Sequence, residues 1–316
     1  MGAVAAYRVP GFELPGPGGY HDWKSTCSEL QKLAGAFPNC HYGSIGPTFQ
    51  KRDIPILHVN AAATGRKKVL IVGCHHAKEW ISVEVPLAFA QGIASGSVTL
   101  PLLDEFSFVL VPMLNPDGHV YSTTSMTRLW RKNRSANGSL GVDLNRNYGF
   151  HWGEGLGSSN PSSNMFRGPR AFSEVEACAL RDLFCAVQPD ILISYHSYGE
   201  KILYPPAFDP FLARDPIHEA GRTLGAAYMA GANRRGGSYE ICAARDHYGP
   251  GIPVGGDLCD WALAESAGAC LCITIELSPV SVNPGFVLPS SFIPDVVTQN
   301  WGGLLELLQA HRLIRP

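Results

Sequence analysis

Val69-Leu-Ile-Val-Gly-Cys-His-His-Ala-Lys-Glu-Trp80 is the stretch from which the rest of the chain can be read. Val69 to Val72 form an uninterrupted β-prone apolar run, the pattern of a strand covered on both faces. Gly73 breaks the run, and an imidazole and a carboxylate follow it three residues apart, at His76 and Glu79. Layered α/β sheets place their chemistry at such strand ends. A histidine nitrogen and a carboxylate oxygen at this spacing can bind one zinc ion. Ordinary helix faces carry the same pair, so its meaning depends on what the other segments supply.

Those segments answer it. Asn115-Pro-Asp-Gly118 follows a second strand-like run, Phe106 to Met113. Arg128-Leu-Trp-Arg131 comes next, then Gly141-Val-Asp-Leu-Asn-Arg-Asn-Tyr148, which concentrates Asp143, Asn145, Arg146 and Asn147. Ile191-Leu-Ile-Ser-Tyr-His-Ser-Tyr198 is a third apolar run ending in a histidine. Ile273-Thr-Ile-Glu-Leu277 carries an acid inside a β-prone run, where an unpaired carboxylate is costly.

In this order the segments resemble the zinc metallocarboxypeptidases of the carboxypeptidase A type, from about Tyr20 to the helix near His311. One motif could arise by chance; six in family order are specific. The resemblance implies a peptide hydrolase that removes C-terminal residues with one zinc per chain. A catalytic zinc needs three protein ligands and an open fourth position, and His76, Glu79 and His196 are that set. His196 alone would read as a core histidine; its Tyr-His-Ser-Tyr setting makes it a ligand. His75 adjoins His76, but the three-residue step to Glu79 selects His76.

The same likeness assigns the remaining roles. Asp143 is the hydrogen-bond partner of His76, since metal-bound histidines donate their second ring N–H. Glu276 is the general base and needs a cation or water nearby. Arg131 stabilises the oxyanion. Arg128 is near it in sequence, and Arg134 reads as solvated surface charge. Asn145 and Arg146 match the family's clamp for the substrate's carboxylate, a task that suits the guanidinium fork. Lys78 replaces an arginine and loses the fork while keeping the charge. Tyr248 takes the role of the mobile tyrosine, although an ungapped count back from Asp260-Trp261 lands on Ile252.

Specificity is read from the residues expected around the side-chain pocket. Cys259 and Ala207 are neutral and Phe286 is apolar, which favours an apolar or aromatic C-terminal residue. Asp257 is the alternative: a small shift in loop register would bring its charge to the pocket and favour lysine or arginine. Two further readings stand beside the peptidase, an amidohydrolase of the same fold acting on a small acylated amino acid and a non-catalytic binder of peptide C-termini. Retention of His76, Glu79, His196 and Glu276 argues against the binder, and Asn145 with Arg146 against the amidohydrolase.

Composition sets the outer limits. The 316 residues are 45% hydrophobic and 16% charged, with a net charge of -2, which is globular and gives no reason to expect nucleic acid or a membrane surface as partner. The expected partners are peptide or protein C-termini, and the expected state is a monomer. Gly 34 and Pro 24 imply long shaped loops. Strand runs alternating with helical runs predict a single α/β domain with a mixed, mostly parallel twisted sheet of about eight strands and helices on both faces. Residues 1–19 read as an irregular arm and 20–316 as the catalytic domain.

Nine cysteines cannot all pair within one chain, and they read as buried small hydrophobes. A loop disulfide common in secreted relatives has no cysteine here, with Ser139 near one expected end. No signal peptide is visible. The expectation is a cytoplasmic protein, with secretion after loss of a leader as the alternative. Related zymogens carry a prodomain, and this sequence starts where their catalytic unit starts. The sequons Asn133-Arg-Ser135 and Asn137-Gly-Ser139 read as chance matches.

Overall fold

The computed structural model describes residues 19–60, 65–95, 101–136, 140–208, 216–249 and 252–314. Residues 1–18 of the expected arm, Ser139 and the sequon at Asn137 lie outside them.

Eight strands form one mixed sheet: β1 (Cys40–Pro47), β2 (Asp53–Val59), β3 (Lys67–Gly73), β4 (Phe106–Val111), β5 (Ile191–Ser197), β6 (Lys201–Tyr204), β7 (Glu240–Ala243) and β8 (Leu271–Leu277). Their order is β1-β2-β4-β3-β5-β8-β6-β7. The centre, β4-β3-β5-β8, is parallel. β1 and β2 join antiparallel on one side, and β6 pairs antiparallel with β8 on the other.

The helices among the described residues are α1 (Trp23–Ala36), α2 (Ile81–Ala94), α3 (Pro101–Asp104), α4 (Pro116–Tyr121), α5 (Val175–Val187), α6 (Pro216–Asn233), α7 (Ala244–His247), α8 (Leu258–Glu265) and α9 (Ile293–Ile314). The uninterrupted apolar strands follow from helices on both faces. Val69 and Ile71 of β3 pack with α2, α6 and α9 through Val85, Phe89, Tyr228 and Trp301. Leu70 and Val72 point the other way, onto α5 and α8 through Leu180, Phe184 and Trp261. Successive strand residues alternate faces, so every position must be apolar. Burying each such side chain contributes about 1.5–3 kcal/mol.

The C-terminal ends of the parallel strands create the site. Gly73 ends β3 because nothing larger fits: a Cβ there would meet the Ser82 carbonyl oxygen at 2.1 Å and that of Pro112 at 2.8 Å. The chain then turns through Cys74, at φ +56°, whose amide donates to Ser82 Oγ at 3.1 Å. That turn carries His76 and Glu79 over the sheet and into α2. His196 and Glu276 sit opposite each other on β5 and β8.

Candidate metal centre and active site

His76, Glu79 and His196 converge from β5 and the β3–α2 turn. Their ligand atoms all lie within 4.8 Å of one another, the one such group of three among the described residues. His76 Nδ1 is 2.9 Å from Glu79 Oε1. His196 Nδ1 is 3.2 Å from Glu79 Oε2 and 3.1 Å from His76 Nδ1. All three residues are buried.

The opposite ring nitrogens explain this geometry. His76 Nε2 meets Asp143 Oδ1 at 3.1 Å, and an ionised carboxylate can only accept, so the ring proton sits on Nε2. His196 Nε2 meets Ser194 Oγ at 3.1 Å. The His76 Nδ1 lone pair therefore faces His196 Nδ1 and the Glu79 carboxylate, an arrangement that a cation relieves. Two nitrogens and one carboxylate are a donor set that zinc accepts. Burial pushes the His196 imidazole down in pKa, and the hydrogen bond to Glu79 only partly offsets this. His75 is not part of this set. It stacks on His196 with ring centroids 5.2 Å apart, meets Tyr148 Oη at 3.0 Å, and is held neutral by burial.

Asp143 joins the metal centre to Arg131. Its Oδ2 accepts Arg131 Nε at 3.0 Å and lies 2.9 Å from Nη2, while Arg131 Nη1 is 3.9 Å from Glu79. Burial alone would raise the Asp143 carboxyl; Arg131 and then His76 overcome it and hold the group well below the usual carboxylate range. Arg131 thus faces the cavity with a fixed guanidinium plane.

A cavity of about 320 Å³ opens above these residues, lined by His76, Glu79, Arg131, Asn145, His196, Tyr248 and Glu276 among others. Glu276 projects from β8 with Thr274 on the same face, as the strand period requires. Burial, followed by the charge of Glu79, pushes the Glu276 carboxyl up to about 8; Arg131, Arg146 and Lys78 pull against that shift.

Arg146 is 2% exposed. Its Nη1 donates to the Asn145 carbonyl oxygen at 2.6 Å, its Nε has no partner, and no carboxylate among the described residues is within ion-pair distance. Asn145 Oδ1 accepts the Leu258 amide at 3.0 Å, and Asn145 lines the cavity. Gly256, at φ +74°, lets the backbone pass against Arg146, where a Cβ would come within 2.5 Å of its carbonyl oxygen. The Tyr248 ring, 37% exposed, lies 5.7 Å from the Arg146 guanidinium carbon.

Leu203, Ala207, Asp257, Cys259 and Thr274 also line the cavity. Cys259 Sγ and Thr274 Oγ1 are 3.2 Å apart. Asp257 caps α8, its Oδ1 accepting the Asp260 amide at 2.8 Å. Burial raises its pKa. Asp260 accepts the Ala207 and Phe208 amides at 2.9 and 2.8 Å. Phe286 lines the cavity as well, against Tyr198 at 4.7 Å between ring centroids and under Lys78 Nζ at 3.7 Å.

Several site features were not singled out from sequence. Tyr198, Leu203 and His247 line the cavity, and the only signal for Tyr198 was its place in the His-Ser-Tyr segment. Arg134 is not simply solvated: its guanidinium stacks over Tyr121 at 3.7 Å. The Asn133 sequon is closed in this fold, because Asn133 is fully buried and donates to Glu174 and Glu176 at 2.7 and 3.0 Å.

The zinc carboxypeptidase family model matches residues 26–303. The chain belongs to that family. Carboxypeptidase B of Astacus astacus is 32% identical over 282 residues, covering 87% of this chain and 91% of that protein. Metallocarboxypeptidase A of Arthroderma otae is 30% identical over 309 residues, 92% of this chain and 71% of that one. Among solved structures, bovine thrombin-activatable fibrinolysis inhibitor in complex with tick carboxypeptidase inhibitor superposes with a TM-score of 0.82 at 26% identity, covering 93% of this chain and 98% of that one. As a zinc carboxypeptidase the protein is a peptide hydrolase acting at peptide C-termini, with zinc as its metal.

Proposed function

We propose that this carboxypeptidase releases single C-terminal residues, preferring apolar and aromatic ones, with Glu276 as base, Arg131 as oxyanion donor and Asn145 and Arg146 as the carboxylate clamp. The observation that carries the reading is the buried Arg146 guanidinium, which has an unpartnered Nε and no counter-charge within ion-pair distance. A buried guanidinium with an unpartnered Nε and no ion pair is costly, and a substrate carboxylate supplies the missing charge in a geometry that the guanidinium fork fits. Asn145 Nδ2 donates a further hydrogen bond, and the Tyr248 ring covers the clamp.

With its carboxylate held there, the last residue of the substrate places its side chain among Leu203, Ala207, Cys259 and Thr274. His76, Glu79 and His196 would hold the zinc, which would supply Lewis acidity toward water and the scissile carbonyl. Glu276 takes the proton from the attacking water and passes it to the leaving amine. Its raised pKa suits a group that must both accept and release a proton. Arg131, fixed by Asp143, donates to the developing negative charge, a contribution of about 3 kcal/mol for one such donor.

The apolar preference rests on the state of the two acids in the recess. Asp257 is turned into the cap of α8, and Asp260 is spent on the Ala207 and Phe208 amides. Both acids are thus partly engaged by backbone amides, and burial disfavours the charge on Asp257. The relatives' names include both carboxypeptidase A and B, so the preference is argued from this chain's own recess. Mass spectrometry of a digested peptide library tests the reading: successive loss of single C-terminal residues supports it, and internal cleavage sinks it.

We further propose a monomeric cytoplasmic enzyme. All nine cysteines are free, and among the described residues no helix is long and apolar enough to cross a membrane. Thiol titration of the unreduced, denatured protein should find most of the nine reactive; eight paired would sink the cytoplasmic placement.

A further inference from the structure

Glu174 and Glu176, at the start of α5, are buried carboxyls outside the cavity lining. One amide joins them: Asn133 Nδ2 donates to Glu174 Oε2 at 2.7 Å and to Glu176 Oε2 at 3.0 Å. The same side chain's Oδ1 accepts the Val142 amide at 2.8 Å, and the Asn133 backbone amide donates to the Val142 carbonyl oxygen at 3.0 Å. Asn133 lies two residues after Arg131, and Val142 immediately precedes Asp143. A single buried residue therefore fastens both segments of the Arg131–Asp143 pair to α5. A second tie reaches the carboxylate clamp: the Glu174 amide donates to Asn147 Oδ1 at 3.1 Å, and Asn147 follows Arg146.

The charges around Glu176 decide what this brace can hold. Glu174 shares its amide donor. Asp117 acts on it from α4 and is itself paired with Arg52 at 2.7 Å. The turn after β1 offers the Phe49 amide, 3.5 Å from Glu176 Oε1, and His41 on β1 is exposed. The cations beside Asn133 are engaged elsewhere: Lys132 Nζ donates to the Pro161 carbonyl oxygen, and Arg134 stacks over Tyr121. Burial first, then Glu174 and Asp117, push the Glu176 carboxyl up to about 7, against the hydrogen bond from Asn133. A protonated Glu176 still accepts from Asn133 and no longer repels Glu174.

We propose that Asn133, Glu174 and Glu176 form a brace that positions Arg131 and Asp143, tight while the carboxyl pair holds one proton and slack once that proton leaves. This rests on the reading of Arg131 as oxyanion donor, because the three residues act through Arg131 and line no part of the cavity.

The test is the ratio of kcat for Glu176→Gln to that of the wild type on one peptide with a C-terminal phenylalanine, followed from pH 6 to pH 8.5. Titrations common to both enzymes, that of Glu276 included, cancel in the ratio. Glutamine cannot ionise, and its Oε1 still accepts from Asn133. The ratio should therefore rise about threefold across the range, with its midpoint at about 7. In an Arg131→Ala background, which should itself lose about 10²–10³ in kcat, the same ratio should stay flat. A flat ratio in the native background, or an equal rise in both backgrounds, would overturn the proposal. Asn133→Ala should lower kcat about tenfold at pH 6 with KM little changed, and an unchanged kcat in the folded variant would also overturn it. Should Asn133→Ala not fold, the two Glu176→Gln ratios decide. An Arg131→Ala variant with kcat within about twofold of the wild type would instead overturn the oxyanion reading.

Discussion

His76 and His196 face each other with their Nδ1 atoms 3.1 Å apart, and the far nitrogen of each ring is tied to Asp143 or Ser194. Ring nitrogens held this close beside Glu79 make sense around a cation. His196→Ala should therefore abolish zinc binding and peptide hydrolysis together. Asp143→Asn, which keeps the ligand but weakens its orientation, should cost about 10–100-fold in zinc affinity. Metal analysis after dialysis reads both. Full zinc occupancy in the His196 variant would remove it from the ligand set.

Glu276→Gln should keep zinc and fold while lowering kcat by about 10²–10⁴, because an amide cannot take the proton from water. Stopped-time assays on the metal-loaded variant measure this. A kcat within a factor of about two of the wild type would take the base role from Glu276.

Peptides ending in phenylalanine should be cleaved with kcat/KM about 10–100 times that of matched peptides ending in arginine, the factor expected from burying an apolar side chain in a recess whose acids are engaged by backbone amides. Asp257→Ala should leave that ratio in place once loss of the helix cap is allowed for. A preference for arginine that disappears in Asp257→Ala would make Asp257 the selectivity residue.

Away from the cavity, Glu176 gives a stability prediction. Burial pushes its carboxyl from 4.5 up to about 7, with Asn133 donating to it and Glu174 and Asp117 nearby adding to the rise. Between those values the unfolded chain has released the proton and the folded chain has kept it. The unfolded state therefore gains as pH rises through this window, and below it the penalty is absent. Relative to the wild type, Glu176→Gln should gain about 2–3 kcal/mol between pH 5 and pH 8. Urea unfolding at the two pH values measures it, and a pH-independent difference would contradict it.

The central strands and the metal ligands were legible because their signals are local. Val69 to Val72 must be apolar at every position to serve two helix layers, and His76 and Glu79 lie on one short turn. The edges were not legible. Cys40–Pro47 carries two glycines and alternates irregularly in burial, while Lys201–Tyr204 and Glu240–Ala243 are four residues each, too short for a period to show. The first helix begins at Trp23, because Asp22 is its cap and accepts the Ser25 amide.

Side-chain direction was the other limit. Asp257 looks like a pocket charge in sequence, and only the fold turns it into the cap of α8. Phe286 reads as an apolar wall in sequence, and only the fold shows that its ring packs on Tyr198 and under Lys78. Arg128 and Arg131 are three residues apart and resemble one another. One reaches Asp143 and the other spans Lys78 to Phe286, a distinction set by contacts distant in the chain.

The central claim is that Arg146 waits for a free carboxylate. Two peptides with the same sequence and a C-terminal phenylalanine, one a free acid and the other amidated, test it when digested by the zinc-loaded enzyme and followed by mass spectrometry. The account predicts rapid loss of one phenylalanine from the acid and strong resistance of the amide, with Arg146→Ala erasing the difference. Equal cleavage of both peptides by the wild type would contradict it.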